Sequence, residues 1–192
     1  LFLLQQAARK DPGVGDAVAR PREVRAAAVI GAGAMGGGIA QGLARAGIPV
    51  RLKDLDLEAL ARGLRAAYEV SRADLKKGRI APRELEQRMA LIQPTLDYTG
   101  VRRADVVIEA VVESLEIKRR VLRRGEAAVP EGFIFATYTS SLPIGGIAAM
   151  ARRPQDVVGM HFFNPVHRMP LVEVVRGKET SQFQVRPGEH FV

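Results

Sequence analysis

Apolar residues follow two alternating patterns along this chain. Nearly continuous apolar runs around 25–30, 48–53, 105–112, 133–137, 157–161 and 171–175 read as strands. Val106-Val107-Ile108 is apolar on both faces, as strands buried on both sides of a sheet are. Between these runs the apolar positions recur at helical spacing. This predicts helices over 34–46 and 115–129 and a short one over 143–150. The stretch 56–92 is helical in pattern, with Leu57, Leu60, Leu64 and Ala67 in step and a break around Lys77-Gly78 and Pro82. Gly47 is placed to stop the first helix. Strands alternating with helices predict an α/β fold with a doubly wound, mainly parallel sheet, in which the helix pair at 56–92 is an insertion.

The first strand runs straight into Gly31-Ala32-Gly33-Ala34-Met35-Gly36, which opens a helix. A second strand follows and ends on Asp54, about 20 residues after the glycines, the spacing at which a carboxylate meets a ribose. Gly31 allows a tight turn, Gly33 lets backbone amides approach phosphates, and Gly36 lets the helix pack on the sheet. The helix N-terminus supplies unpaired N–H groups and partial positive charge. The layout is that of a Rossmann-type dinucleotide site. Asp54 would repel a 2′-phosphate, which favours NAD over NADP; Lys53 and Arg51 beside it weaken that preference slightly, and an ordinary helix cap is the other reading of Asp54.

In such a sheet the strand C-termini share one edge. Glu113, Thr139, Ser140 and His161 all fall at or just after strand ends. His161 is the only histidine at a predicted strand end. Glu173, on the next strand, is placed to pair with it, fix its tautomer and raise its basicity; an edge-strand surface glutamate is the alternative. Ser140 and Ser141 lack a nucleophile elbow, so a hydroxyl hydrogen-bonding a substrate oxygen fits better than a nucleophile. Pro165 biases Asn164 towards an extended, ligand-facing conformation. Lys118 is either a solvated helix lysine or, through its place after Glu113, a neighbour of the cofactor edge. Lys76 and Lys77 read first as surface residues and second as phosphate ligands. His167 and His190 read as loop residues, and the three histidines show no metal-ligand spacing.

The composition narrows the partners. The 192 residues suit one domain with extensions, and 47% apolar residues fit a globular chain. With no cysteine, disulfide and thiolate chemistry are excluded. The net charge of +8 reads as an arginine-rich surface or as attraction to a polyanionic ligand. The basic residues are scattered without aromatic interleaving, which speaks against nucleic acid and leaves a phosphorylated small molecule as the better fit. No apolar run approaches the roughly 20 residues of a transmembrane helix. Leu1-Phe2-Leu3-Leu4 does not make a signal peptide, so a cytoplasmic location is expected. Residues 1–24 read as a linker, 25–180 as the NAD-binding domain and 181–192 as an atypical tail. The chain does not begin with Met and is expected to be a fragment.

Several segments together resemble the 3-hydroxyacyl-CoA dehydrogenases: GAGAMGGGIAQ (31–41), KDLD (53–56), VIEAVVESLEIK (107–118), TSSLPI (139–144) and GMHFFNPVHRMPLVEVV (159–175). Within that family the last segment is most similar to the multifunctional alpha subunit of the fatty-acid oxidation complex, where a hydratase domain precedes the dehydrogenase. A stand-alone 3-hydroxybutyryl-CoA dehydrogenase shares much of the pattern. The resemblance implies NAD-dependent oxidation of L-3-hydroxyacyl-CoA to 3-ketoacyl-CoA in β-oxidation. It implies His161 as catalytic base, Glu173 as its orienting partner and Ser140 at the substrate's 3-oxygen. Gly31, Gly33, Met35, Gly36, Asp54, Val111, Val112, Glu113, Lys118, Ser140 and Asn164 would line the cofactor site, and Lys76 or Lys77 would lie near the CoA phosphates. Homo-oligomers and a thiolase subunit are the partners it implies for a full-length protein. Two departures stand out. Tyr138 replaces the family's usual Asn, and the 192 residues are expected to stop short of the helical C-terminal domain into which the family continues, so the chain is expected to be a truncated dehydrogenase, weakly active or inactive in isolation, with a catalytically incomplete NAD-binding module as the alternative.

Overall fold

The computed structural model describes residues 23–129, 132–169 and 171–181. The linker expected over 1–24 and the tail expected over 181–192 lie almost wholly outside them, as does His190.

Seven strands form one sheet: β1 (Ala27–Ile30), β2 (Val50–Lys53), β3 (Ile92–Thr95), β4 (Val106–Glu109), β5 (Ile134–Thr137), β6 (Val157–Phe162) and β7 (Val172–Arg176). Their spatial order is β3-β2-β1-β4-β5-β6-β7. Every neighbouring pair is parallel except β6 and β7, which are antiparallel. The helices are α1 (Ala34–Arg45), α2 (Leu57–Lys76), α3 (Pro82–Ala90), α4 (Leu115–Ala128) and α5 (Ile144–Ala148). The strand order reverses between β1 and β4, where a doubly wound sheet opens its ligand crevice.

Strand alternation divides the core into two layers. Ala27 and Val29 face a cluster with Ile39 and Leu43 of α1 and Leu60 and Ala67 of α2. Ala28 and Ile30 face the other side, against Leu122 of α4 and Ile147 of α5. Each fully buried Leu or Ile contributes about 1.5–3 kcal/mol of transfer free energy. The two layers therefore clamp the sheet and fix its C-terminal edge.

Local chemistry sets the element ends. Gly47, at φ +81, follows α1, and its N–H bonds the Ala44 carbonyl. Asp56 caps α2, its carboxylate accepting the Ala59 N–H at 2.7 Å. Because Asp56 is the cap, Asp54 is free for another role. Pro82 starts α3, where a missing N–H is harmless.

One strand departs from the sequence reading. The helical pattern predicted over 56–92 ends earlier, and β3 follows it as an edge strand paired only with β2. Only Ile92 of its four residues is buried, and Pro94 sits where an edge strand tolerates it, so neither alternation nor propensity announces a strand. The strand expected over 105–112 stops at Glu109, because the chain turns at Ala110 to meet the glycine loop.

The helical insertion docks at a contact that only small residues allow. A Cβ on Gly37 of α1 would lie 2.8 Å from the Gly63 carbonyl oxygen of α2. A Cβ on Gly63 would lie 2.7 Å from the Ala32 carbonyl oxygen in the glycine loop.

Candidate active site

The glycine loop is shaped by its neighbours. Gly31 sits at φ +103, and a Cβ there would approach the Ala110 carbonyl oxygen to 2.5 Å. A Cβ on Gly36 would overlap the Gly31 carbonyl, so this glycine closes the turn as well as meeting Val29 of the sheet. A Cβ on Gly33 would meet nothing within 4 Å: the space above it is open. Gly33 is also the N-cap of α1 and offers no side-chain acceptor, which leaves the first helical N–H groups available to a ligand.

Asp54 stands at the end of β2 and spans to this loop. Its Oδ2 accepts the Ala32 N–H at 2.6 Å, and its Oδ1 accepts the Leu55 N–H at 2.6 Å. The two cations beside it turn elsewhere. Lys53 is buried with its ammonium 5.2 Å from the Tyr98 ring centroid, and the Arg51 guanidinium lies against Gly100. Burial lowers the Lys53 pKa, Asp54 opposes that, and Arg124 adds to it. The Asp54 carboxylate is thus the charge presented beside the glycine loop at the end of β2. Met35 and Val111 are half-buried; Val112 is 66% exposed and Leu55 78% exposed. The two exposed side chains follow β4 and β2 at the edge flanking the loop. Leu55 was missed in the sequence because a single leucine after an acid carries no pattern.

A buried charge network lies beneath the edge. Glu109, at the end of β4, and Lys118, on α4, are both fully buried. Lys118 Nζ lies 2.9 Å from Glu109 Oε1 and donates to the Tyr138 carbonyl at 2.6 Å. Thr137 Oγ1 donates to Glu109 Oε2 at 2.7 Å, and the Val111 N–H to Oε1 at 2.8 Å. Burial raises the Glu109 pKa, while Lys118, Thr137 and Val111 oppose the rise. Lys118 is therefore neither a solvated lysine nor an exposed lining residue; it reaches the edge through its partners. Glu109 was not singled out in the sequence, although a carboxylate inside an otherwise apolar strand run was the available signal.

Glu113 gathers the loop after β5. Its Oε2 lies 3.4 Å from Lys118 Nζ. Its Oε1 accepts from the Thr139 hydroxyl, from the Ser140 N–H at 3.3 Å and from Ser141 Oγ at 3.2 Å. Burial pushes the Glu113 pKa up, but Thr139, Lys118 and the Ser140 N–H outweigh it and hold the carboxyl below its usual range. The Ser140 side chain is left exposed at the edge.

His161 and Glu173 are direct cross-strand partners in the β6–β7 pair, with Nδ1 2.8 Å from Oε2. An N–H on Nδ1 is held by the carboxylate, leaving Nε2 free to accept a proton. Tyr138 lies nearly parallel to the imidazole, centroids 6.2 Å apart at 15°, and Phe163 flanks it at 4.7 Å. Asn164 follows in an exposed turn, joined to Pro165 by a cis bond.

Lys77 caps the far end of α2 and, with Arg45, Arg79, His167 and Arg168, lines a cavity of about 110 Å³; Lys76 does not line it. His167, expected as a loop residue, is half-buried there. Among the described residues no cluster of ligating side chains is arranged for a metal, and no helix is long and apolar enough to cross a membrane.

An open glycine turn at an uncapped helix start, a carboxylate across it and an oriented histidine on the same edge define a dinucleotide-binding domain of the dehydrogenase type. Residues 26–192 match the family described as 3-hydroxyacyl-CoA dehydrogenase, NAD binding domain, and the chain belongs to that family. Its cofactor is NAD, which the open space at Gly33 and the Asp54 carboxylate fit. The fold is similar to (S)-3-hydroxybutyryl-CoA dehydrogenase from Ralstonia eutropha (34% identity, TM-score 0.82, covering 84% of this chain and 57% of that one). It is similar to 3-hydroxybutyryl-CoA dehydrogenase from Escherichia coli (36% identity, TM-score 0.82, covering 85% of this chain and 34% of that one). It also resembles the dehydrogenase part of multifunctional enzyme 1 from C. elegans (27% identity, TM-score 0.77, covering 89% of this chain and 39% of that one). The chain thus spans well under two thirds of the length of each.

Proposed function

We propose that this domain serves the oxidation of L-3-hydroxyacyl-CoA to 3-ketoacyl-CoA. The observation that carries this reading is the His161–Glu173 pair at 2.8 Å, set on the same sheet edge as the cofactor loop. His161 Nε2 accepts the proton of the substrate's 3-hydroxyl as the C3–H bond breaks and the carbonyl forms. The redox chemistry would be supplied by NAD when bound, as acceptor of the hydride from C3. Glu173 keeps the proton on Nδ1 and balances the imidazolium once Nε2 is protonated. The Ser140 hydroxyl donates to the 3-oxygen, and Asn164 contacts the nicotinamide end. Gly31, Gly33, Gly36, Met35, Asp54, Val111, Val112 and Glu113 hold the rest of the cofactor. Lys118 acts as a positioning residue behind Glu113. Lys77, with Lys76 as a more distant neighbour, serves the CoA phosphates.

Within this reading, the domain works in fatty-acid β-oxidation, where a thiolase subunit takes the 3-ketoacyl product. A second reading is a 3-hydroxybutyryl-CoA dehydrogenase that is not part of a multifunctional chain. It is supported by 34% and 36% identity to enzymes of that name against 27% to the multifunctional one. The chain spans 57% or less of each of these relatives. Assaying it with 3-hydroxybutyryl-CoA and with a long-chain 3-hydroxyacyl-CoA, following NADH at equal enzyme concentration, separates the readings. Slow oxidation that His161→Gln abolishes supports the chemistry; oxidation that survives this substitution contradicts it.

A further inference from the structure

The imidazole of His161 is bounded on more sides than its ion pair alone provides. Glu173 holds Nδ1 at 2.8 Å, but its own side chain is 52% exposed, so water competes for that hydrogen bond. A histidine tethered at one atom to a solvated partner can still turn about its side-chain torsions. Two aromatic rings close off that freedom. Tyr138 lies nearly parallel to the imidazole, with centroids 6.2 Å apart and planes inclined by 15°, within the range that aromatic pairs favour. Phe163 crosses the same imidazole at 4.7 Å and 59°. The Tyr138 ring is held in turn. It is half-buried against the apolar layer on the α1 face and lies 6.5 Å from the ring of buried Phe162. Its backbone is seated from both sides. The Tyr138 N–H donates to the Glu109 carbonyl at 2.7 Å, and the Tyr138 carbonyl accepts from Lys118 Nζ at 2.6 Å. Lys118 is fully buried and paired with Glu109, so this seat is rigid.

We propose that Tyr138 is a positioning residue for His161, its ring forming the wall that keeps Nδ1 on Glu173 and Nε2 free. The proposal rests on the hydroxyacyl-CoA reading, in which His161 Nε2 takes the proton of the substrate's 3-hydroxyl. A flat ring lying parallel to the imidazole removes the orientations that swing Nδ1 away from the carboxylate. The proton therefore stays on Nδ1, and the base is already oriented when substrate arrives. The same contacts give the buried ion pair a use at the site. Glu109 and Lys118 seat the Tyr138 backbone, and the Tyr138 ring orients the base. The face of the ring does this, and the hydroxyl has no part in it. Phenylalanine should therefore replace Tyr138. Leucine, apolar but without a flat face, should not.

The test compares Tyr138→Phe and Tyr138→Leu with wild type in the full 192-residue chain. Long-range heteronuclear NMR reads the His161 tautomer, with the resonances assigned by His161→Gln. Wild type and Y138F should carry the proton on Nδ1 alone, whereas Y138L should show exchange between the two tautomers. With 3-hydroxybutyryl-CoA and NAD, Y138L should lower kcat by about tenfold, with KM within about twofold of wild type. Y138F should keep kcat within about twofold of wild type. Thermal melts check that Y138L is folded; Tyr138→Met, unbranched and adaptable, serves in its place if it is not. An unchanged tautomer or an unchanged kcat in the variant without the ring overturns the proposal and leaves the hydroxyacyl-CoA reading intact. So does a loss in KM alone, which marks a packing role, or an equal loss in Y138F, which assigns the role to the hydroxyl. Oxidation that survives His161→Gln removes the hydroxyacyl-CoA reading instead, and the tautomers alone then decide whether Tyr138 orients the imidazole.

Discussion

His161 on β6 lies directly across an antiparallel ladder from Glu173 on β7, with Nδ1 2.8 Å from Oε2. This is the one antiparallel pairing in the sheet. It puts the partner on the same face at the same level, which a parallel neighbour joined by a long crossover would not do as directly. His161→Gln should therefore lower the rate of 3-hydroxyacyl-CoA oxidation by about 10²–10⁴-fold. Glu173→Gln should lower kcat by less, with little change in KM, because it disturbs the tautomer without removing the base. Steady-state kinetics on both variants checks the order, and equal losses in KM alone would contradict it.

Gly33 and Gly36 should respond oppositely to added side chains. Gly33 is exposed, has an ordinary extended backbone and would meet no protein atom, so Gly33→Val should fold normally. It should still weaken NADH binding by at least about tenfold, or ~1.4 kcal/mol, by filling the space where phosphate approaches. Gly36→Ala would drive a methyl group into the Gly31 carbonyl and should destabilise the fold itself. Paired thermal melts and NADH titrations distinguish the two effects.

The buried ion pair gives a sharper stability prediction. Lys118→Met leaves the Glu109 carboxylate buried without its ammonium and should cost about 3–5 kcal/mol. Adding Glu109→Gln to that variant should recover part of the loss. Urea unfolding of both variants measures the difference, and a K118M protein as stable as wild type would show that the pair is not structural.

The lowered pKa of Glu113 sets the sign of an acid effect. Its contribution to stability is present above the unfolded carboxylate pKa and is lost as pH falls through the lower folded value. Wild type should therefore lose stability on acidification more steeply than Glu113→Gln through and below the ordinary carboxylate range. Urea midpoints across that range read this out; parallel curves would contradict it.

Much of the sheet was legible because its central strands are short apolar runs ended by glycines or polar residues. The glycine turn was legible because a Cβ at Gly31 would meet the Ala110 carbonyl and one at Gly36 the Gly31 carbonyl, which leaves few alternatives to glycine. Strand β3 was not, since its single buried residue, Ile92, borders a helix and Pro94 masks the strand. Asp54 was read with Lys53 and Arg51 as neighbours, yet alternation sends both cations away from it, a fact of side-chain direction that composition near a site does not reveal. Where the side chains of Lys118 and His167 lie is a matter of burial. One lysine is sealed beneath the edge while another, Lys77, is open to a cavity, and nothing in their immediate sequence separates them.

The central claim, that this chain holds NAD across Gly33 and Asp54, is tested most directly by titrating the 192-residue chain with NADH and NADPH and following nicotinamide fluorescence. Saturable one-site binding of NADH is expected, with NADPH weaker by at least about tenfold because Asp54 repels its 2′-phosphate. Absence of saturable NADH binding, or tighter binding of NADPH, would contradict it.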